Sequence, residues 1–277
     1  MSIDAFAATD RPIRVGLQLA PEHAEYARLR DAVREAEDLG VDIVFNWDHF
    51  FPLNGDRGGL HFESWTLLAA WAEQTSRVEL GPLVNCNSYR NPNLQADMAR
   101  TVDQISGGRL VFGTGSGWFQ HDYDEYGYEF GTAGQRLDAL ARDLPIIRDR
   151  WTKLNPAPVR DIPILIGGGG EKKTLRIVAE HADIWHSFSD VETLERKLAI
   201  LGGHAETVGR DVSEIEISTG VSHRVDEADL DARYERGVRL FTIGESGPDY
   251  DMTAVKKLLA WRDKTGGAAS TPERASA

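Results

Sequence analysis

Cysteine is almost absent. The 277-residue chain has one, Cys86, which excludes an internal disulfide. Its eight histidines nowhere join that cysteine at zinc-ligand spacing, so no metal site is expected. Basic residues are in deficit: 31 Lys and Arg against 44 Asp and Glu leave a formal net charge of −13. That balance argues against nucleic acid or an anionic membrane as partner, and an anionic ligand would have to be held locally against the field. No apolar run approaches the ~20 residues that span a bilayer. Met1–Arg11 has neither a charged n-region nor an apolar h-region, so no signal peptide is expected and a cytoplasmic location is. Linkers and low-complexity segments are missing as well. Residues 1–265 therefore read as a single domain, and 266–277, small and polar, as a disordered tail.

What is present is a repeated alternation. Apolar strand-like runs occur at Ile13–Leu19, Val41–Phe45, Val78–Val84, Leu110–Phe112, Ile162–Ile166, Asp183–His186, Glu214–Ser218 and Val238–Ile243. Helix-period segments separate them: Tyr26–Leu39, Ser64–Gln74, Leu94–Ile105, Gln135–Trp151, Lys172–Ala179, Val191–Val208, Leu230–Arg236 and Thr253–Lys264. Eight strand–helix units with near-continuous apolar strands predict an α/β fold, a closed (β/α)8 TIM barrel, rather than an open doubly wound sheet. The long connections, at 46–62, 85–93 and 113–132, all follow strands. In such a barrel they converge on one mouth at the strands' C-terminal ends, where active sites lie.

The most informative stretch is Ile162-Pro-Ile-Leu-Ile-Gly-Gly-Gly-Gly-Glu-Lys-Lys-Thr174. A buried strand that runs through Gly167, Gly168, Gly169 and Gly170 into a helix start is a phosphate cradle: bare backbone approaches the anion and the helix end adds partial positive charge. The alternative, a flexible linker, lacks spacer residues on either side. Strand two ends in Asn46-Trp47-Asp48-His49-Phe50. His49 beside a carboxylate at a barrel mouth either moves a proton near neutral pH or is a half-buried loop residue next to a loop cap. Strand three runs into Asn85-Cys86-Asn87-Ser88-Tyr89-Arg90-Asn91-Pro92, where Pro92 marks a helix start and Arg90 pairs either a phosphate or a neighbouring carboxylate, the ion pair being preferred. Cys86, with no activating base nearby in sequence, reads as a small wall residue rather than a nucleophile. Gly113-Thr114-Gly115-Ser116-Gly117-Trp118 imitates a dinucleotide fingerprint, yet a polar loop, not a helix, is expected after it. Trp118 reads either as a wall for a flat aromatic ligand or as ordinary core. Glu63 is a pocket carboxylate or a first-turn acid favouring a helix dipole, the second being preferred.

Together these segments resemble the luciferase-like oxidoreductase superfamily, and within it the actinobacterial branch that uses the deazaflavin coenzyme F420. The resemblance covers roughly residues 13–220. It rests on Trp47–Phe50, on Phe62-Glu63-Ser64-Trp65-Thr66-Leu67-Leu68-Ala69-Ala70, on Thr75–Gly81, Ser88–Pro92, Ser106–Leu110 and Gly113–Trp118, and on Ile166–Leu175. It implies a deazaflavin ring stacked in the mouth against a backbone bulge on strand three, with a non-proline cis peptide near Leu83–Val84 and Asn85 on the same rim. It implies that Asp48 contacts the ring system, that His49 lies beside the hydride-transferring carbon as the catalytic proton carrier, and that Gly115, Ser116, Gly117 and Trp118 wall the ring. Gly167–Gly170 would hold the phosphate. The implied reaction is hydride transfer between F420 and a small organic substrate (an activated C=C, a C=N or an alcohol), without oxygenation. A homodimer is implied as well.

Two departures from the resemblance stand out. Relatives carry a longer segment between the helix ending near Trp151 and strand five, where this chain has only 152–161, so a flap over the pocket is expected to be missing. Strand six ends in Ile184-Trp185-His186 where relatives often place Asn. His186 is then a second titratable pocket group or a replacement facing the phosphate, and with Glu63 and Cys86 it completes the expected substrate pocket. FMN is the alternative cofactor, in an FMN-dependent monooxygenase. A non-catalytic flavin- or deazaflavin-binding homologue is a second alternative, against which both glycine segments and His49 argue.

Overall fold

The computed structural model describes residues 4–266. Its strands are β1 (Arg14–Leu19), β2 (Ile43–Asn46), β3 (Glu79–Pro82), β4 (Asn85–Cys86), β5 (Phe112–Gly115), β6 (Ile164–Gly167), β7 (Ile184–Ser187), β8 (Glu216–Gly220) and β9 (Val238–Glu245). They form one sheet in the order β3-β2-β1-β9-β8-β7-β6-β5-β4, with every pairing parallel. A parallel bridge between Leu80 and Leu110 brings the two ends together. The helices are α1 (Asp4–Ala7), α2 (Tyr26–Leu39), α3 (Ser64–Gln74), α4 (Pro92–Ser106), α5 (Gln120–Tyr126), α6 (Ala133–Trp151), α7 (Thr174–His181), α8 (Val191–Val208), α9 (Glu227–Glu235) and α10 (Thr253–Thr265). None of them is long and apolar enough to cross a membrane.

Nine strand segments thus make the eight expected staves of a nearly closed TIM barrel, because the third stave is interrupted. The run expected as one strand over 78–84 breaks between β3 and β4, where the Leu83–Val84 peptide is cis. β3 meets the start of the next stave through Leu80 N–H to Arg109 O (3.0 Å) and Val111 N–H to Leu80 O (2.9 Å), whereas β4 pairs with β5. Backbones approach so closely at this seam that glycine is required. A Cβ on Gly113 would collide with the Pro82 carbonyl, and one on Gly81 with the Val111 carbonyl.

Strand alternation sorts the side chains into layers. Ile43, Phe45, Val111, Leu165, Ile184 and Leu240 fill the barrel interior. Leu17, Val44, Leu80, Ile164, Trp185 and Phe241 point outward into the core shared with the helices. Below the apolar interior, Arg14 sits between Glu79 and Glu216 as a charged plug. Above it, Gln18, His186 and Ser218 are two residues further along their strands than Gly16, Ile184 and Glu216, and they form a polar floor under the mouth. The apolar interior is therefore flanked by a charged layer at the strands' N-terminal ends and an uncharged polar floor at their C-terminal ends.

Three expectations need correction. The segment 113–132 is not a plain loop: α5 lies within it, built on Tyr123, whose ring is fully buried. Strand four is shifted from Leu110–Phe112 to Phe112–Gly115. The helix after the four glycines starts at Thr174, one turn beyond them, and Lys173 at its N-cap makes no side-chain cap bond. The short connection before β6 is as expected, for 152–163 carry no helix or strand. Most of the expected tail, 267–277, lies outside the described residues.

Candidate active site

A cavity of about 610 Å³ opens at the C-terminal ends of the strands. Its wall includes His49, Leu83, Val84, Asn85, Cys86, Gly115, Ser116, Gly117, Trp118, Gly167, Gly168, Gly169 and His186, so nearly all of the expected site residues meet there. Glu63 and Gly170 do not line it.

His49 follows β2 in a loop that turns its ring into the cavity wall. Its Nδ1 lies 2.7 Å from Oδ2 of Asp122 on α5. That carboxylate, fully buried, also accepts from the Tyr89 hydroxyl (2.8 Å) and, through Oδ1, from Phe50 N–H (3.2 Å). A carboxylate at this distance accepts from Nδ1–H, which fixes the tautomer and leaves Nε2 for the cavity. Burial pushes the Tyr89 phenol well above its ordinary range, so it stays a donor. Asp122 and Tyr89 were not foreseen. Asp122 stands 73 residues from His49 in sequence, inside a stretch without apolar periodicity, and only the folded chain brings it there.

Asp48, the neighbour of His49, also lines the cavity. Its side chain is completely buried, with Oδ2 taking Arg90 Nη1 (2.6 Å) and Cys86 N–H (2.9 Å), and Oδ1 taking Arg90 Nη2 (3.0 Å). Burial pushes this carboxyl up while the Arg90 guanidinium pulls it down. Its oxygens anchor β4 through Cys86 N–H and hold the Arg90 guanidinium. Glu63 is the N-cap of α3, accepting from Thr66 N–H at 2.7 Å, and it holds the other side of Arg90 at 2.8 Å. It is a helix-start acid and not a pocket group, and Arg90 is an ion-pair residue.

Val84 is the platform of the mouth. It stands over Gly115 and Gly167, where a Cβ would come within 2.9 and 2.8 Å of its methyl carbons. The Asn85 side chain turns away, accepting from Trp65 Nε1 (2.8 Å) and donating to Gln95 (2.7 Å). Gly117 has a φ of +80°, and a Cβ there would run into the Tyr123 hydroxyl and Cys86 Sγ. The Cys86 thiol, 3.2 Å from that hydroxyl, is pushed up to about 11 by burial and is a wall residue. Trp118 is 64 % exposed on the rim, its ring edge-on to His49 at 5.8 Å. Phe188, 79 % exposed, stands on the rim beside His186.

At the glycine end, Trp185 Nε1 donates to Gly168 O (2.8 Å) and Gly168 N–H to His186 O (3.0 Å), which pins the turn. A Cβ on Gly169 would collide with the ammonium of Lys197, which reaches over from α8 and donates to Ser189 Oγ at 3.2 Å. Lys197 was also missed in sequence, where a lysine on an amphipathic helix reads as solvent-facing. His186 is buried, its Nδ1 2.8 Å from Ser218 Oγ and its Nε2 without a partner. Burial pushes it down to about 3, so it is neutral. The cavity thus offers bare backbone with one cation at one end and an oriented imidazole at the other.

A profile of the family described as luciferase-like monooxygenase matches residues 8–274. The chain belongs to that family. An F420-dependent glucose-6-phosphate dehydrogenase from Amycolatopsis mediterranei is 28% identical over 189 residues, 61% of this chain and 54% of that protein. A pyrimidine monooxygenase RutA from Allorhizobium ampelinum is 26% identical over 223 residues, 70% of this chain and 59% of that protein. The chain therefore spans little more than half the length of these curated relatives. Among solved structures, an F420-dependent secondary alcohol dehydrogenase in complex with an F420-acetone adduct superposes with a TM-score of 0.78 at 18% identity, covering 91% of this chain and 99% of that one. At that identity the match establishes the family fold.

Proposed function

We propose that the protein is an F420-dependent oxidoreductase that moves a hydride between F420 and a small organic substrate, with an alcohol and its carbonyl product as the leading pair. The observation that carries this reading is the His49–Asp122 pair, set across one cavity from a glycine turn capped by Lys197. Family membership and relatives named for F420 support it. The residues fit such a cofactor. The glycine turn has room that a Cβ would fill, Lys197 offers a charge for a phosphate, and Val84 offers a face for a flat ring. When bound, F420 supplies a carbon centre that accepts or releases hydride.

The chain's own residues orient, shield and move the proton. Trp118, Ser116 and Val84 bound the ring space. His49 Nε2 accepts the substrate's proton, and Asp122 holds the imidazole in the right tautomer and faces the imidazolium that forms. A homodimer belongs to the same reading, and light scattering of the purified protein tests it.

The deciding experiment titrates the purified chain with F420 and FMN side by side, following F420 fluorescence. Quenching with micromolar affinity supports the reading, whereas FMN retention without F420 binding transfers it to an FMN-dependent monooxygenase. H49A should then abolish turnover at unchanged F420 affinity. D122N should lower kcat by on the order of 100-fold at unchanged affinity, the imidazole having lost its orienting acceptor. Binding with no turnover under any condition would make the chain a non-catalytic binder.

A further inference from the structure

The two ends of the cavity differ in charge, and the difference bears on what can bind beside His49. Resting on the F420 reading above, we propose that the substrate is an uncharged alcohol or its carbonyl partner, carrying neither phosphate nor carboxylate. Among the described residues that line the cavity, Lys197 alone carries a full positive charge, and it sits at the glycine end over Gly169. The His49 end is walled by Trp47, Leu53, Leu83, Tyr89 and Trp118.

Three arginines lie near that end, and none of them lines the cavity. Arg90 is sealed behind Asp48 and Glu63. Arg136 donates to the Gly117 and Phe130 carbonyls (3.1 and 2.9 Å) and lies 3.9 Å over the Phe130 ring. Arg57 is exposed outside the cavity wall, 5.6 Å over Phe119. The buried carboxyl groups Asp48 and Asp122 lie at this end, the first already paired with Arg90, so a substrate anion would enter without a free counter-charge. What remains for recognition is apolar contact and uncharged hydrogen bonding, from His49 Nε2 and from Trp47 Nε1, which has no partner among the described residues.

A hydroxyl meets that need because it brings its own proton. In the oxidative direction the O–H proton passes to His49 Nε2 and the carbinol C–H leaves as hydride to oxidised F420, the two-electron acceptor. The C=O bond forms, and the imidazolium is left beside Asp122. The reverse direction returns proton and hydride to the carbonyl oxygen and carbon.

1-Phenylethanol and mandelate test this directly, since they share a carbinol and differ by a methyl against a carboxylate. Saturation-transfer NMR on the cofactor-free chain reads binding, and anaerobic loss of F420 absorbance reads turnover. The expected result is transfer to 1-phenylethanol and not to mandelate, with kcat/KM lower for mandelate and for glucose 6-phosphate by on the order of 100-fold. Leu53→Lys, which places a cation on this rim, should raise mandelate turnover and narrow the gap. Equal transfer to both ligands, or turnover of mandelate or glucose 6-phosphate at or above that of 1-phenylethanol, overturns the proposal. So does F420 binding with no alcohol oxidised and no ketone reduced. Failure of F420 to bind in the preceding titration is the distinct result that removes the parent reading.

Discussion

His49 and His186 both border the cavity, and their partners give the two imidazoles opposite chemistry. His49 Nδ1 faces a buried carboxylate, whereas His186 has only the Ser218 hydroxyl and an unpartnered Nε2. Burial holds His186 neutral with a pKa of about 3, while an unfolded imidazole titrates near 6.5. Below pH 6.5 the unfolded chain therefore binds a proton that the folded chain refuses, and stability falls as the pH drops toward 3. His61, pushed down to about 4 chiefly by burial, acts in the same direction. H186L removes one of these contributions. Between pH 6.5 and 4.5 the wild type should lose stability faster than H186L by about 1.4 kcal/mol per pH unit. Urea midpoints at each pH measure this, and parallel curves would refute it. Little of this was legible in the chain. His186 announced a titratable group, but its neutrality comes from burial in the folded barrel, where its hydrogen-bond partner Ser218 lies 32 residues away in sequence. The His49 signal was legible because Trp-Asp-His follows a strand directly. Its acceptor was not, because Asp122 lies in Gln-His-Asp-Tyr-Asp-Glu-Tyr, where no hydrophobic period marks a helix.

Elements whose ends are set by local chemistry were readable residue by residue. α2, α3 and α8 begin and end where the periodicity predicts, and the side chains of Glu63 and Asp190 accept from the first-turn N–H groups of α3 and α8. The interruption of the third stave was not readable from its own apolar run, being imposed by its neighbours; the resemblance alone implied the bulge and the cis peptide near Leu83–Val84, and the cis peptide is found there. The seam explains the glycines in Leu80-Gly81-Pro82 and Phe112-Gly113-Thr114: each leaves room for a carbonyl of the opposite stave. G113A should therefore cost more than about 4 kcal/mol or prevent folding, since a backbone carbonyl cannot swing aside as a side chain can. G203A is the contrast, in mid-α8 with nothing around it, and should stabilise by about 0.5–1 kcal/mol through helix propensity alone. Soluble yield and urea denaturation of the two variants separate the roles. A G113A protein as stable as wild type would show that the seam is not held as closely as described.

The molecule as a whole carries −13 formal charges, yet on the F420 reading it must admit a ligand with a phosphate and a carboxylate-bearing tail. These facts are compatible only if long-range and short-range electrostatics act separately. At contact, Lys197 and the bare Gly167–Gly169 backbone supply attraction over a few ångströms, where salt screens little. At a distance the ligand meets the summed field of an acidic protein, and that repulsion acts on the encounter rate rather than on the bound complex. Raising ionic strength from about 20 to about 200 mM shortens the Debye length from roughly 20 to roughly 7 Å. The association rate of F420, followed by stopped-flow fluorescence, should then rise severalfold with little change in the dissociation rate. K197M should do the reverse, speeding dissociation while leaving the slope of association against salt in place. An association rate that falls with salt would mean that the mouth presents a positive local field to an incoming anion. Lys197 would then be a steering group as well as a contact, and the net charge would not govern approach.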